Sequence, residues 1–236
     1  MKLPIIEQFL SIQGEGDRVG ELSYFIRLAG CNLKCAWCDT KYASRPSETA
    51  VQMIDIKDIV DEVRKIEDRI IRPFVIIFTG GEALIHKKEI KKCIKLLDDN
   101  NLLSRVEIET NGTILPIHQI TNFFSPNSIA YNISPKLLSS KNNPKKSINI
   151  KTLRFFNNNT PCIFKFVIKT NEDWYQMKQI ILDVKIKRNR VYVMPEGKTD
   201  AELKKNAKKL INKVIEGGYN FSPRLHIWLW GSKKGV

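Results

Sequence analysis

With 236 residues, 42% apolar and 27% charged, the chain is long enough to bury a sizeable core, and its composition argues against disorder. No apolar run approaches the length of a bilayer span, so no membrane partner is expected. The formal charge of +14 invites nucleic acid, yet the basic residues are spread, crowd only mildly at 136–151 and 185–213, and have little aromatic interleaving there, so no nucleic-acid partner is expected.

Pro4 and Glu7 interrupt the N-terminus where a signal peptide needs an unbroken apolar stretch. Residues 5–12 alternate loosely and read as a first strand. They run into Gln13-Gly14-Glu15-Gly16, where two glycines let backbone approach a ligand closely. Residues 23–28 form a short apolar strand with a single charge, Arg27, a candidate to grip a carboxylate with both arms of its fork.

The next stretch is Cys31-Asn-Leu-Lys-Cys35-Ala-Trp-Cys38, three thiols in eight residues. Thiolates spaced this closely suit soft metals and iron–sulfur clusters. A structural zinc site is closed by four ligands. The only soft candidates for a fourth are Cys93, Cys162 and the three histidines, and no downstream Cys-x-x-Cys or His-x-x-x-His pair accompanies them. A redox disulfide fits less well, because three thiols do not pair. A cubane held by three cysteines leaves one iron open to substrate or cofactor. Five cysteines, an odd and clustered number, argue against a disulfide framework and for a reduced, cytoplasmic protein.

A polar segment, 41–53, precedes a helix capped by Asp55 with Ile56, Ile59, Val60, Val63 and Ile66 at helical spacing. Residues 74–78 are a continuous apolar strand of the parallel-sheet kind, ending at Thr79-Gly80-Gly81-Glu82. Ile90, Cys93, Ile94 and Leu97 mark a helix with Cys93 on its core face. A strand at 104–108 ends at Glu109-Thr110-Asn111-Gly112, and a short helix is expected over roughly 115–124. Residues 129–133 form a strand ending at Ser134-Pro135-Lys136. Residues 137–160, rich in Asn, Lys, Ser and Pro, read as a long loop or insertion. A strand at 163–168 leads to a helix capped by Asn171, with Trp174 and Met177 as packing residues. After a strand at 191–194, Thr199 and Glu202 form a capping box and Gly217-Gly218 stop the helix. Residues 221–230 return as a last strand.

Strand and helix alternate about six times, which argues for a parallel sheet with crossover helices. The units fall short of the eight that close a full barrel. An incomplete, TIM-like β/α barrel of about six parallel strands is expected, in one domain over 1–236, with a flat doubly wound sheet as the alternative. In such folds ligands gather at the carboxyl ends of the strands. The unusual polar stretches fall there: the cysteine loop, Thr79–Glu82, Glu109–Gly112 and Ser134–Lys136.

The Cys-x-x-x-Cys-x-x-Cys spacing with Trp37 resembles the signature of radical S-adenosylmethionine enzymes, and Gly80-Gly81-Glu82 matches their glycine-rich stretch in kind and position. Within that superfamily the chain is similar to the 7-carboxy-7-deazaguanine synthase family. The matching pieces are Ile12–Gly16, Arg27, Cys31–Thr40, Thr79–Gly81, Ser134–Lys136 and the tail Leu225–Gly231 with Gly235-Val236. They span nearly the whole chain.

The resemblance implies a [4Fe-4S] cluster on Cys31, Cys35 and Cys38 whose open iron chelates S-adenosylmethionine. It implies conversion of 6-carboxy-5,6,7,8-tetrahydropterin to 7-carboxy-7-deazaguanine and ammonia. The hydrogen abstractor is the cofactor's own 5′-deoxyadenosyl radical, so no catalytic side chain is expected. Ala36, Trp37, Cys38, Gly81, Ser134, Pro135 and Lys136 would line the S-adenosylmethionine. Ile12, Gln13, Gly14, Arg27 and Thr79 would meet the substrate, and Thr40 would ligate Mg2+, a hard ion that prefers oxygen. A homodimer and an external electron donor are implied. Trp228 or Trp230 could serve the dimer or the pocket, with packing as their default. His226 reads as structural, and no role is assigned to the Val236 carboxylate. Two other readings remain: a radical activase acting on a partner protein, and a basic nucleic-acid-binding metalloprotein.

Overall fold

Continuous apolar runs such as Val75–Phe78 need cover on both faces, and crossover helices supply it on one. The computed structural model describes residues 1–70, 73–102, 105–116 and 129–236. In chain order its elements are β1 (Lys2–Ile12), β2 (Leu22–Leu28), α1 (Lys41–Ser44), β3 (Gln52–Asp55), α2 (Ile56–Arg69), β4 (Val75–Gly80) and α3 (Lys87–Asp99). There follow β5 (Val106–Thr110), β6 (Ile129–Ile133), α4 (Pro144–Ser147), α5 (Ile150–Asn159), β7 (Cys162–Ile168) and α6 (Asn171–Val184). The chain closes with β8 (Val191–Pro195), α7 (Asp200–Gly217), β9 (Asn220–Phe221) and α8 (Leu225–Trp230).

The strands form one sheet in the order β3-β1-β2-β4-β5-β6-β7-β8-β9. From β2 to β9 each strand runs parallel to the next. A doubly wound sheet reverses its strand order at a switch point. Here the order never reverses after β2, and β3 and β9 do not pair with each other. This is the incomplete β/α barrel, with its six main parallel strands, a two-residue β9, and an antiparallel edge of β1 and β3.

The pleat sorts the strand residues onto two faces. Tyr24, Ile26, Leu28, Ile76, Phe78, Val106 and Ile108 join the main core, together with Ile59, Val63 and Ile66 of α2 and Ile90, Cys93, Ile94 and Leu97 of α3. The Asp55 side chain caps α2 by accepting from Lys57 N at 3.0 Å. The alternate positions include Arg27, Thr79, Glu107, Glu109, Asn132 and Lys165, polar residues on the face of the sheet turned away from the α2 and α3 core.

Several expectations are corrected. The tail is not a strand beyond Phe221. Leu225 N donates to Gly14 O at 2.9 Å, which holds the first turn of α8 over the Gln13–Glu15 loop instead of beside β8. Trp228 and Trp230 are exposed, so neither packs in the core. The 137–160 segment is not a loop: Asn143 and Asn149 cap α4 and α5, and Leu153 and Phe156 are buried. Helix α6 is capped by Thr170 in a capping box with Asp173, one residue before the expected cap. The polar 41–53 segment holds α1 and the start of β3, which pairs with β1. The helix expected at 115–124 falls mostly outside the described residues.

Candidate active site

The carboxyl ends of the parallel strands open on a cavity of about 360 Å³. Cys31, Cys35 and Cys38 are half-buried and all line it. Their loop leaves β2 at Gly30, whose N–H donates to Ala43 O at 2.8 Å. Gly81 lets the next loop press against it, since a Cβ there would fall 2.0 Å from Gly30 O. Gly80 has φ 131°, a conformation that favours glycine. Glu82 is a buried tie rather than a site residue: its carboxylate accepts from Leu84 N, Thr110 Oγ1 and Asn111 N at 3.1, 2.7 and 2.7 Å. Burial nevertheless pushes its pKa up.

The wall opposite the cysteines carries charge. Arg27 Nε is 2.6 Å from Glu7 Oε1, which also accepts from Tyr42 OH at 2.9 Å. Burial opposes the Arg27 charge, but Tyr42 and Glu7 outweigh it and raise the pKa. Thr79 Oγ1 donates to Glu109 Oε2 at 2.5 Å, and Gln13 Nε2 donates to Glu109 Oε1 at 3.2 Å. Beneath them Glu107 is paired with Arg18 Nε at 2.9 Å and accepts from Gln13 and Asn132. Burial, with Glu109 and Asp17 beside it, raises the Glu107 carboxyl to about 7.

A second network joins three distant parts of the chain. Glu15 is paired with Lys165 of β7 and, at 2.9 Å, with Arg224 Nε. Arg224 also pairs with Asp39 of the cysteine loop and donates to Gly197 O at 2.8 Å. Burial alone would raise the Glu15 carboxyl; Lys165, Arg224 and His226 reverse that and hold it well below the ordinary range. Burial lowers the His226 pKa and Arg224 adds to this, while Glu15 opposes it.

Most of the expected site residues converge. Ile12, Gln13, Gly14, Arg27, Thr79, Thr40, Trp37, Cys38, Gly81, Ser134 and Lys136 all line the cavity. Gln13 lies there with its side chain already committed to Glu107, Glu109 and the Glu15 N–H. The Thr40 hydroxyl does not cap α1, which leaves it directed by nothing stronger than a 3.7 Å approach to Cys38 Sγ. Lys136 Nζ donates to Ser134 Oγ at 2.9 Å and lies 5.7 Å over the Trp37 ring. Ala36 and Pro135 are not in the wall: Ala36 is exposed with its N–H on Ser140 O, and Pro135 is buried behind it.

Sequence reasoning gave no site role to Asn132, Lys165, Met194 or Arg224, and reached Glu109 and Gly231, Gly235 and Val236 only as members of a polar strand end and of the matching tail; all of them line the cavity. A signal was available for Lys165, Asn132 and Glu109: each is a polar residue inside an otherwise apolar strand. His226, read as a structural strand residue, stands in the wall on α8.

Three comparisons bear on this site. The Radical SAM superfamily model matches residues 25–210. The 7-carboxy-7-deazaguanine synthase of Halobacterium salinarum is 33% identical over 97% of this chain and 90% of its own, and that of Hyperthermus butylicus 30% over 95% and 92%. The chain belongs to the 7-carboxy-7-deazaguanine synthase family of radical S-adenosylmethionine enzymes. In fold this member is similar to QueE from Escherichia coli, with a TM-score of 0.67, 23% identity, and coverage of 96% of this chain and 95% of that one.

The residues of this synthase-family chain fit the cluster and S-adenosylmethionine that the superfamily implies. Three thiols share one cavity. Of the other two cysteines, Cys93 lies in the core, and Cys162 Sγ accepts from Arg190 Nη2 at 2.8 Å. Among the described residues no three His, Cys, Asp or Glu side chains are gathered tightly enough for a single metal ion. Gly80-Gly81 let their loop pack directly on the backbone of Leu28 and Gly30, next to Cys31. No described helix is long and apolar enough to cross a membrane.

Proposed function

We propose that this chain, as a single domain, converts 6-carboxy-5,6,7,8-tetrahydropterin to 7-carboxy-7-deazaguanine with release of ammonia, in the cytoplasm. The observation that carries the reading is that the cysteine loop and the Gln13–Arg27–Thr79 wall open on one cavity. When bound, the cluster and S-adenosylmethionine supply hydrogen-atom abstraction by one-electron chemistry. The protein's own work is to bind, orient and keep out water.

Arg27 meets the substrate carboxylate. Its Nε is held by Glu7, so the planar fork is presented in a fixed direction, as bidentate recognition needs. Glu109, aimed by Thr79 and Gln13, accepts from the amino-pyrimidine edge of the pterin. Ile12 and Gly14 complete the substrate wall. Trp37, Cys38, Gly81, Ser134 and Lys136 hold S-adenosylmethionine, and the Lys136 ammonium favours its carboxylate. Thr40, uncommitted to capping, would offer its hydroxyl oxygen to Mg2+, a hard ion that takes oxygen donors.

A homodimer is supported by the adjacent exposure of Trp228, Leu229 and Trp230 on α8, an apolar patch a second copy would cover. The electron comes from an external donor, since the two remaining cysteines are buried apart. Anaerobic incubation of reconstituted protein with the carboxytetrahydropterin, S-adenosylmethionine and a reductant tests the reading. Deazaguanine absorbance and ammonia, with S-adenosylmethionine regenerated, are expected. Cofactor cleavage without deazaguanine would instead point to an activase.

A further inference from the structure

The turn between β6 and α4 is strapped to the cysteine loop. Ala36 N donates to Ser140 O at 2.9 Å, and Trp37 Nε1 donates to Ser139 Oγ at 3.1 Å. Lys141 sits at φ 60°, a left-handed conformation that a lysine rarely adopts, and it turns the next residue toward the loop. That residue is Asn142. Its Oδ1 accepts from Lys34 N at 2.8 Å, and its Nδ2 lies 3.2 Å from Cys35 Sγ and 3.1 Å from Ser140 Oγ.

The orientation of this amide is settled by its partners. A backbone N–H only donates, so the atom facing Lys34 N is the oxygen. The NH2 group is therefore the one that meets the Cys35 sulfur. The three cysteines differ in this respect. Cys31 Sγ accepts from the local Leu33 N at 3.4 Å, and Cys38 Sγ has the hydroxyls of Thr40 and Ser44 at 3.7 and 3.8 Å. Cys35 takes its donor from a side chain 107 positions away.

We propose that Asn142 is a positioning residue that sets the reduction potential of the cluster through Cys35. The inference rests on the radical S-adenosylmethionine reading but not on the identity of the substrate. An N–H directed at a cluster thiolate draws charge from the sulfur and favours the reduced, more negative cluster. Asn142 thus makes the one-electron reduction easier, and its Oδ1 fixes the loop that carries the sulfur.

The test is a redox titration of the reconstituted protein followed by electron paramagnetic resonance, with iron and sulfide content measured alongside. Asn142→Asp keeps the acceptor for Lys34 N–H and replaces the donor with an anionic oxygen; Asn142→Ala removes both. Each variant holding full iron is expected to titrate at a more negative potential, with the larger shift in Asn142→Asp. Ser139→Ala, which removes only the Trp37 partner, is expected to titrate as the parent does. An unchanged potential in a full-iron Asn142 variant overturns the proposal. Loss of iron from both Asn142 variants, with Ser139→Ala keeping it, also overturns it, because Asn142 would then hold the loop without tuning the sulfur. A parent protein that takes up no cluster defeats the radical reading itself and is distinguishable from either result.

Discussion

The His226 imidazole fills the space that a side chain on Gly14 would need: a Cβ there would lie 2.2 Å from Nδ1 and 3.1 Å from the His226 backbone N. Gly14 is therefore the contact that lets α8 close over the Gln13–Glu15 loop. Gly14→Ala is expected to push α8 outward, lower kcat/KM by about 100-fold and cost about 1–3 kcal/mol of stability. Removing the obstructing ring in Gly14→Ala/His226→Ala is expected to recover most of the stability in urea denaturation. Equal stability of the two variants would contradict the contact.

Lys165 and Glu15 form a buried ion pair at the far side of the same wall. Breaking such a pair costs about 3–5 kcal/mol where the remaining charge has no other partner, but Glu15 keeps Arg224 at 2.9 Å. Lys165→Met is expected to lose less than about 3 kcal/mol in chemical denaturation, and little when Glu15→Gln is already present. The folded-state pKa of Glu15 is depressed, so its stabilisation is present above the ordinary carboxylate range and is lost as pH falls. In Lys165→Met the acid-side loss of stability is expected to be flatter.

Glu107 has the opposite sign. Its folded pKa of about 7 lies above the ordinary 4.5, so between those values the folded state keeps a proton that the unfolded chain has released. Stability is expected to fall as pH rises through that window, by at most about 1.4 kcal/mol per unit, and to level off above it. Glu107→Gln retains acceptors for Gln13 and Asn132 and removes the titration. Urea midpoints measured from pH 5 to 8 are expected to show the slope diminished in the variant.

Trp228 is 65% exposed beside Leu229 and Trp230. If a second copy covers this patch, Trp228→Glu is expected to convert a dimer to a monomer in sedimentation equilibrium while the far-ultraviolet spectrum is unchanged. A parent chain that sediments as a monomer at micromolar concentration would remove that face from consideration.

Much of the site was legible because its signals are local. The cysteine spacing, Gly80-Gly81 and the polar strand ends are each contained in a few residues, and all meet at one cavity. The Glu15–Lys165 and Glu15–Arg224 pairs join residues 150 and 209 apart, which no periodicity reports. The tail was misread because a short apolar run such as Leu225–Trp230 has no period that separates strand from helix; only the bond from Leu225 N to Gly14 O decides it. In 137–160 the asparagines looked like loop composition, whereas Asn143 and Asn149 are helix caps and Asn142 reaches a cysteine. Their side-chain oxygens replace missing helical partners, which composition alone does not reveal.

The most direct test of three-cysteine ligation is the electron paramagnetic resonance spectrum of the reduced, reconstituted protein with and without S-adenosylmethionine. An open iron in this cavity is expected to give a [4Fe-4S] signal whose g-values shift when the cofactor binds, and no such signal in Cys35→Ser. A full-iron protein whose spectrum ignores the cofactor, or one that holds zinc in place of iron, would contradict it.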